Sequence, residues 1–587
     1  MQRAFDGRMK MPGFPSLSRP GGALAVPLRQ RRPAFTVDAT VEQLVLFASL
    51  FWALSANRAF LSAALQGRSL GDPSAWGFGA AMFVLAVALH GVLLSLVANR
   101  WTVKPLLVVL TLATASASYY MGAYGVYLDP SMLRNVLRTD VKEARELLGA
   151  QWLLHMALYA GLPLLLLWRV RIVNRPWLRA TGVRLATLLA GAAVLAVVVM
   201  AVFQPLASLM RNRKEVRYLI TPANYLWAIG SVAVGDARGA AQPRQPIGLD
   251  AAPGPSWAGR RKPLVVVVVV GETARAANWG LNGYARQTTP QLAQLPVLNF
   301  GQVKACGTNT EVSVPCMFAP VGRRDYDEAR IRAQESLLHV VARAGVAVQW
   351  RDNQSGCKGT CDGLPSDAVS AANAPGLCSG DHCLDEGLVH DLDQRLTSAR
   401  GTNLWVLHML GNHGPSYWRR YPPAFARFQP ECRDDDLRRC SAEQITNSYD
   451  NALLYTDHVL ASALAKLQAH AREVDVALLY VSDHGESLGE RNLFLHGVPY
   501  AIAPDVQTRV PMVMWFSDGF ERAAGLASGC LRPALQQQAA RPVAHDHLFH
   551  TVLGLLDVRT QLHAPAWDLT DGCRSAAVAA VSAPAAK

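Results

Sequence analysis

The stretch KPLVVVVVVGET, Lys262 to Thr273, decides the fold. Seven apolar residues in a row, six of them valine, leave no polar residue at alternate positions. A strand with one wet face alternates, so this run reads as a strand buried on both faces. "NLWVLHM" (403–409) and "VALLYVS" (476–482) repeat the pattern, with helical stretches such as Asn447–His470 between the runs. Alternation of this kind over residues 264–574 predicts a doubly wound α/β domain with a mainly parallel sheet. Ligands of such domains bind beyond the carboxyl ends of the strands.

Those strand ends carry the chemistry. The first run ends in Glu272, "HMLGNHG" carries His408 and His413, and "VALLYVS" ends in Asp483-His484; His496 follows on the loop "LFLHGVPY". Taken singly, each is a helix cap or a satisfied surface histidine. Together at one edge, their carboxylate oxygens and imidazole nitrogens favour a zinc site. A nucleophile is available in "ACGTNTEVSVPCMF" (305–318), where Thr308, Thr310 and Ser313 lie between Cys306 and Cys316. Zinc eases loss of a hydroxyl proton, and the alkoxide can attack phosphorus or sulfur. A cross-link between the two cysteines would hold the loop still, and a misplacement of ~1 Å can cost about 100-fold in rate. Spacing alone leaves the three hydroxyls in competition. The pattern Cys-x-Pro-x-Arg is absent, which argues against a formylglycine nucleophile.

Ahead of this domain the composition changes. Residues 1–215 hold 23 Lys+Arg against 9 Asp+Glu, whereas the remainder is nearly balanced. Five apolar runs approach or reach the ~20 residues a helix needs to cross a bilayer: Gln43–Leu65, Ala75–Ala98, Pro105–Val126, Trp152–Trp168 and Leu185–Phe203. Asn57 and Arg58 interrupt the first. The basic tail (1–40) and the basic loops Arg100–Lys104 and Arg169–Arg184 belong on the cytoplasmic side by charge bias. Five crossings within a membrane domain (41–204) then put everything later outside the cytoplasm, the periplasm of a Gram-negative cell. All ten cysteines follow residue 300 and recur in close pairs, which reads as disulfides in an oxidising compartment. Zinc knuckles at 357/361 and 378/383 are the alternative, but no second ligand pair sits at finger spacing. Basic patches with interleaved aromatics are missing from the second half, so nucleic acid is not an expected partner. Residues 205–263 read as a bridge and Gly/Pro/Ala-rich linker, and 575–587 as a low-complexity tail. Between the third and fourth spans, "DPSMLRNVLRTDVKEARELL" (129–148) places Met132, Asn135, Thr139 and Glu143 on one face of a single helix; alone, that face reads as solvated.

The segments "GETARAANWGLNGYARQTTP", "CGTNTEVSVPCMF", "GNHGP", "SDHGESLGE" and "HGVPY", behind five spans, resemble the phosphoethanolamine transferases, the lipid A-modifying group that includes the mobile colistin-resistance enzymes. The resemblance covers nearly the whole chain. It implies a five-helix transmembrane domain joined to an alkaline-phosphatase/sulfatase-like α/β domain in the periplasm of an inner-membrane protein. It also implies Thr310 as nucleophile, joined by Glu272, Asp483 and His484 around one tightly held Zn2+, with room for a second ion. His413, His496 and His408 are expected at substrate or the second zinc. Ser355 and Lys358 in "DNQSGCKG", with Asn135, Thr139 and Glu143, are expected at substrate, which reverses the bland reading of that helix. The implied disulfides are Cys306–Cys316, Cys357–Cys361 and Cys432–Cys440, beside Cys378–Cys383 and the remaining Cys530 and Cys573. The activity implied is transfer of phosphoethanolamine from phosphatidylethanolamine to a lipid A phosphate by a monomer among membrane lipids, giving polymyxin tolerance. Rival readings are another acceptor (a core sugar, a periplasmic glucan, a protein), a phosphoglycerol transferase, and an inactive membrane sensor.

Overall fold

The computed structural model describes residues 36–574 apart from 70, 140, 241–243 and 381. Most of the basic tail expected over 1–40, and all of the tail over 575–587, lie outside the described residues.

Two kinds of element build the chain. In the first part, helices α1 (Val41–Ser55) and α2 (Arg58–Leu65) meet at 58°. Buried Asn57 explains the bend: its Nδ2 donates to the carbonyls of Trp52 (2.9 Å) and Thr221 (2.7 Å), and its Oδ1 accepts from the Thr221 amide (3.0 Å). The first expected span is therefore a broken pair. Helices α3 (Pro73–Val97), α4 (Val103–Tyr124), α7 (Ala150–Arg169) and α8 (Trp177–Ala201) are each long and apolar enough to cross a bilayer. A π turn at Ala157–Gly161 precedes Pro163 in α7, where proline removes an amide from the ladder. None of the apolar window of α8 is buried in the protein, and Leu189, Val197 and Met200 are at least 60% exposed. A helix apolar all round whose side chains stay largely uncovered, though it runs along α3, belongs in lipid.

Between α4 and α7 the expected single helix is two: α5 (Pro130–Arg138) and α6 (Val141–Glu146). Thr139 is extended (φ −63°, ψ 132°), and its hydroxyl donates to the Asn135 carbonyl at 2.8 Å. The break turns α6 out of the line of α5 and into the second half of the molecule. The face predicted to run from Met132 to Glu143 is thus discontinuous. Helix α9 (Ala223–Ala240) packs on α5.

The second half is built on an eight-stranded sheet. Its strands are β1 (Leu264–Gly271), β2 (Leu298–Lys304), β3 (Ala347–Asp352), β4 (Ser366–Ala368), β5 (Thr402–His408), β6 (Asp475–Ser482), β7 (Arg509–Phe516) and β8 (Val543–Ala544). The order is β8-β2-β7-β6-β1-β5-β3-β4, and only β7 runs against its neighbours. The valine run of β1 lies at the middle, and its residues divide by parity: Val266, Val268 and Val270 enter one apolar layer, Val265, Val267 and Val269 the other. That division is why the run never alternates. Each valine side chain removed from water contributes about 1.5–3 kcal/mol as an upper bound. The second layer includes the 28-residue helix Ala442–Ala469, which begins on a Ser441–Gln444 capping box. All ten cysteines are paired: 306–316, 357–361, 378–383, 432–440 and 530–573.

Candidate metal centre and adjoining cavity

Strands β1 and β6 are parallel neighbours in register, with Gly271 opposite Ser482. The residues that follow, Glu272 on one and Asp483-His484 on the other, therefore emerge side by side. Thr273 turns the chain away at φ 53°, a region that costs a β-branched residue of order 1–3 kcal/mol. Two contacts hold it there: Tyr449 Oη donates to its carbonyl at 2.7 Å, and its amide donates to Asp483 Oδ1 at 3.2 Å. Gly411 allows a third strand end to close in. A Cβ there would stand 2.7 Å from the Glu272 carbonyl oxygen, and its φ is +53°.

The segment that bears the candidate hydroxyls forms helix α10 (Thr310–Met317), capped by Asn309, whose Oδ1 accepts from the Val312 amide. Thr310 is its first residue, so its side chain lies at the positive end of the helix dipole. The three hydroxyls have different partners. Thr308 Oγ1 donates to the Val498 carbonyl (2.8 Å) and Ser313 Oγ to that of Asp483, while Thr310 Oγ1 donates to Glu272 Oε2 at 3.1 Å and lies 3.4 Å from His484 Nε2.

Glu272, Asp483 and His484 each offer one ligand atom, all within 4.8 Å of one another, and all three are buried. His484 Nε2 is 3.4 Å from Glu272 Oε1 and 3.3 Å from Asp483 Oδ2. Neither of those oxygens has a hydrogen-bond partner among the described residues. Burial and then the Asp483 charge push the Glu272 carboxyl well above its usual range; burial raises Asp483 too. Burial drives His484 well below 6.5, and its Nδ1 faces the Gly485 carbonyl at 2.9 Å, which leaves Nε2 as a lone pair aimed at the carboxylates. Two orphaned carboxylate oxygens and a neutral imidazole around one point form a site for a divalent cation.

A histidine relay extends from this centre. The His496 ring lies 4.5 Å from that of His484 and 5.4 Å from that of His413. Glu486 orients His496 through Nδ1 (2.8 Å) and accepts from Tyr417 Oη (2.7 Å). His413 Nε2 meets Glu143 Oε1 at 2.7 Å, a contact delivered by α6. Although burial opposes it, Glu143 raises the His413 pKa; Glu143 itself, despite burial, is held down to about 2 by the His413 charge and hydrogen bond. Three residues on, Glu146 Oε2 accepts from buried Arg420 at 2.6 Å, and Arg420 Nε holds the His413 carbonyl at 2.7 Å. Glu143, Glu146, Ser355 and His413 share a cavity of ≈ 110 Å³. Lys358 donates to Ser355 Oγ and, at 3.2 Å, to its carbonyl.

Of the residues singled out in the sequence, Thr310, Glu272, Asp483 and His484 converge, His496 and His413 follow beside them, and Glu143 and Ser355 line the cavity. His408 is set behind: its Nδ1 meets Asp352 Oδ1 at 2.8 Å, it is fully buried, and its Nε2 has no hydrogen-bond partner among the described residues. Asn135 and Thr139 make no hydrogen bond to these side chains among the described residues; they bond to each other at the end of α5. Sequence reasoning missed Glu146, Arg420, Asp352 and the role of Glu486 in orienting His496. A signal existed for Glu146, since i and i+3 share a helix face.

Comparison with known proteins places this arrangement. Residues 265–558 match the sulfatase family, and residues 86–237 match the family described as phosphoethanolamine transferase EptA/EptB. The phosphoethanolamine transferase EptA of Escherichia coli K12 is 37% identical over 533 residues, covering 90% of this chain and 96% of its own. The E. coli phosphatidylethanolamine transferase Mcr-1 is 36% identical over 88% of this chain and 96% of its own. The integral membrane lipooligosaccharide phosphoethanolamine transferase A of Neisseria meningitidis superposes with a TM-score of 0.85 at 36% identity, over 92% of this chain and 99% of that one.

Proposed function

We propose, for a chain that belongs to the phosphoethanolamine transferase family, that it moves phosphoethanolamine from phosphatidylethanolamine to a lipid A phosphate, with Thr310 carrying the group between donor and acceptor. The observation that carries this reading is the placement of Thr310 Oγ1, buried at a helix N-terminus, 3.1 Å from Glu272 and 3.4 Å from His484.

The ion proposed is zinc. Ligands 2.0–2.1 Å from a tetrahedral zinc stand about 3.3 Å apart. Four of the six separations among Thr310, Glu272, Asp483 and His484 are 3.1, 3.3, 3.4 and 3.4 Å, counting both oxygens of Glu272, and this supports a shell of about that size. When bound, zinc supplies the charge that makes a hydroxyl acidic near neutral pH and offsets charge on phosphoryl oxygens.

In the first step Thr310 Oγ1 gives its proton along its hydrogen bond to Glu272 Oε2 and attacks the donor phosphorus. The Thr310 O–P bond forms, the P–O bond to diacylglycerol breaks, and the departing oxygen takes a proton. His413, whose charged form Glu143 favours against the effect of burial, is placed to give that proton or to hold a phosphoryl oxygen. The α10 dipole and Lys358 attract the equatorial oxygens, most of what phosphoryl transfer asks of a protein. In the second step a lipid A phosphate oxygen attacks the same phosphorus, the Thr310 O–P bond breaks, the threonine oxygen takes its proton back from Glu272, and the proton given to diacylglycerol is replaced from the acceptor phosphate or water.

The relatives support the acceptor: besides EptA and Mcr-1, the Kdo(2)-lipid A phosphoethanolamine 7''-transferase of E. coli K12 is 30% identical over 79% of this chain. We place the helices in the bacterial inner membrane with the sulfatase-like domain in the periplasm, where both lipids present their headgroups. The added ammonium lowers the anionic charge that cationic peptides bind, so polymyxin tolerance follows. The test is mass spectrometry of lipid A from cells expressing the chain or its Thr310→Ala variant. Phosphoethanolamine on lipid A with the former and not the latter is expected; modification by Thr310→Ala would overturn the mechanism.

A further inference from the structure

The cavity beside the metal centre holds three carboxylates whose situations differ. Asp352 is fully engaged: Oδ1 meets His408, and Oδ2 accepts from the amides of Gln354 (3.1 Å) and Gly356 (2.9 Å). Glu143 holds His413. Glu146 is 4% exposed and its Oε2 is bound by Arg420, yet its Oε1 has no hydrogen-bond partner among the described residues. Besides Arg420 on the other oxygen, His382 Nε2 stands 3.9 Å from Oε1, beyond hydrogen-bond reach. A buried carboxylate oxygen left without a donor is costly, so it marks a place where a donor arrives.

We propose that Glu146 receives the ammonium of the donor's ethanolamine group and so selects a primary amine headgroup; this rests on the transfer reading given above. Location, chemistry and support each argue for it. His413 lines the cavity, its ring is 5.4 Å from that of His496, and the His496 ring is 4.5 Å from that of His484, so the cavity adjoins the metal centre on the side where a headgroup held at Thr310 would extend its arm. A primary ammonium has three donors and no acceptor, the complement of a carboxylate oxygen to which no donor is hydrogen-bonded. Arg420 donates to Oε2 and to the His413 carbonyl, which fixes Glu146 and His413 relative to each other before substrate enters. The carboxylate comes from α6, between the third and fourth spans, so the membrane half of the chain completes the donor site of the other half. A quaternary headgroup lacks N–H donors and a glycerol headgroup lacks the charge; both leave Oε1 unsatisfied.

The experiment is an internal competition in the full-length enzyme in detergent micelles. Phosphatidylethanolamine and phosphatidylethanol, which lacks only the amine, carry different acyl chains, and the two released diacylglycerols are counted by mass spectrometry. Wild type favours the amine donor by about 10-fold or more, the range of a hydrogen bond to an ionised group. Glu146→Gln brings that ratio close to one while release from phosphatidylethanol persists. Glu146→Asp keeps the charge beside Arg420 but withdraws Oε1 by one methylene, and carries the same comparison where the Gln variant does not accumulate. An unchanged ratio, or an equal fall for both donors, overturns the proposal, the second outcome marking a structural role. If wild type releases neither diacylglycerol, the transfer reading itself fails instead.

Discussion

Glu311 follows Thr310 and joins the two halves of the molecule. Its side chain is 1% exposed. Oε1 accepts from Arg138 of α5 at 2.6 Å and from Arg332, in the helix Glu328–Ala333, at 2.9 Å. Replacing Glu311 by Ala removes two charge-assisted hydrogen bonds, each contributing about 1.5–3 kcal/mol. Both arginines keep a second carboxylate, Glu328 at 3.0 Å and Asp236 at 3.6 Å, so the low end applies and the loss is about 3 kcal/mol. Arg138→Ala should cost much less. That side chain is 40% exposed, solvent screens its pair, and Arg332 still neutralises Glu311, which limits the loss to about 1 kcal/mol. Amide hydrogen exchange of full-length protein reads this locally. Peptides spanning Pro130–Arg138 and Thr310–Met317 should exchange about 100-fold faster in Glu311→Ala and about fivefold faster in Arg138→Ala. Equal acceleration in the two variants, or less than about twofold in Glu311→Ala, would refute the reasoning.

Metal removal should reverse the effect of one substitution. In chelated protein Glu272 and Asp483 confront each other without a cation, so Glu272→Gln should melt above wild type; with metal at about 100-fold over its dissociation constant, wild type gains roughly 2.7 kcal/mol and should melt higher. Thermal melts with and without chelator decide, and Glu272→Gln melting lower in both would contradict this. Asp457 offers a pH test: burial pushes its carboxyl from 3.8 to about 6, although it accepts from the Gln291 (2.8 Å) and Leu292 (2.9 Å) amides. The folded state then holds this proton more tightly than the unfolded state, so this group's contribution to stability is greatest below pH 3.8 and falls as pH rises to about 6. Asp457→Asn should gain on wild type by about 3 kcal/mol across that window; a difference independent of pH would show that folding leaves this carboxyl's proton affinity unchanged.

How far the sequence reached depends on the range of the interaction. The valine run dictated a doubly covered strand because parity sends alternate residues into two apolar layers, and the parallel register of β1 and β6 then brings Glu272 beside Asp483 and His484 with no further information. Spacing could not choose among Thr308, Thr310 and Ser313, because the choice is made by backbone carbonyls distant in sequence, Val498 for one and Asp483 for another. The break at Thr139 was hidden for the same reason. Nothing local ends a helix in "NVLRTDVKEARE"; buried partners for Glu143 and Glu146, at His413 and Arg420, favour the turn. Of the expected periplasmic helix, its amphipathic pattern was legible and its direction was not.

The account's central claim is tested most directly by the mass of the protein itself. Purified enzyme incubated with phosphatidylethanolamine and no acceptor should gain one phosphoethanolamine, mapped by peptide fragmentation to Thr310 and discharged when lipid A is added. Transfer to lipid A from enzyme whose Thr310 never carries the group would contradict it.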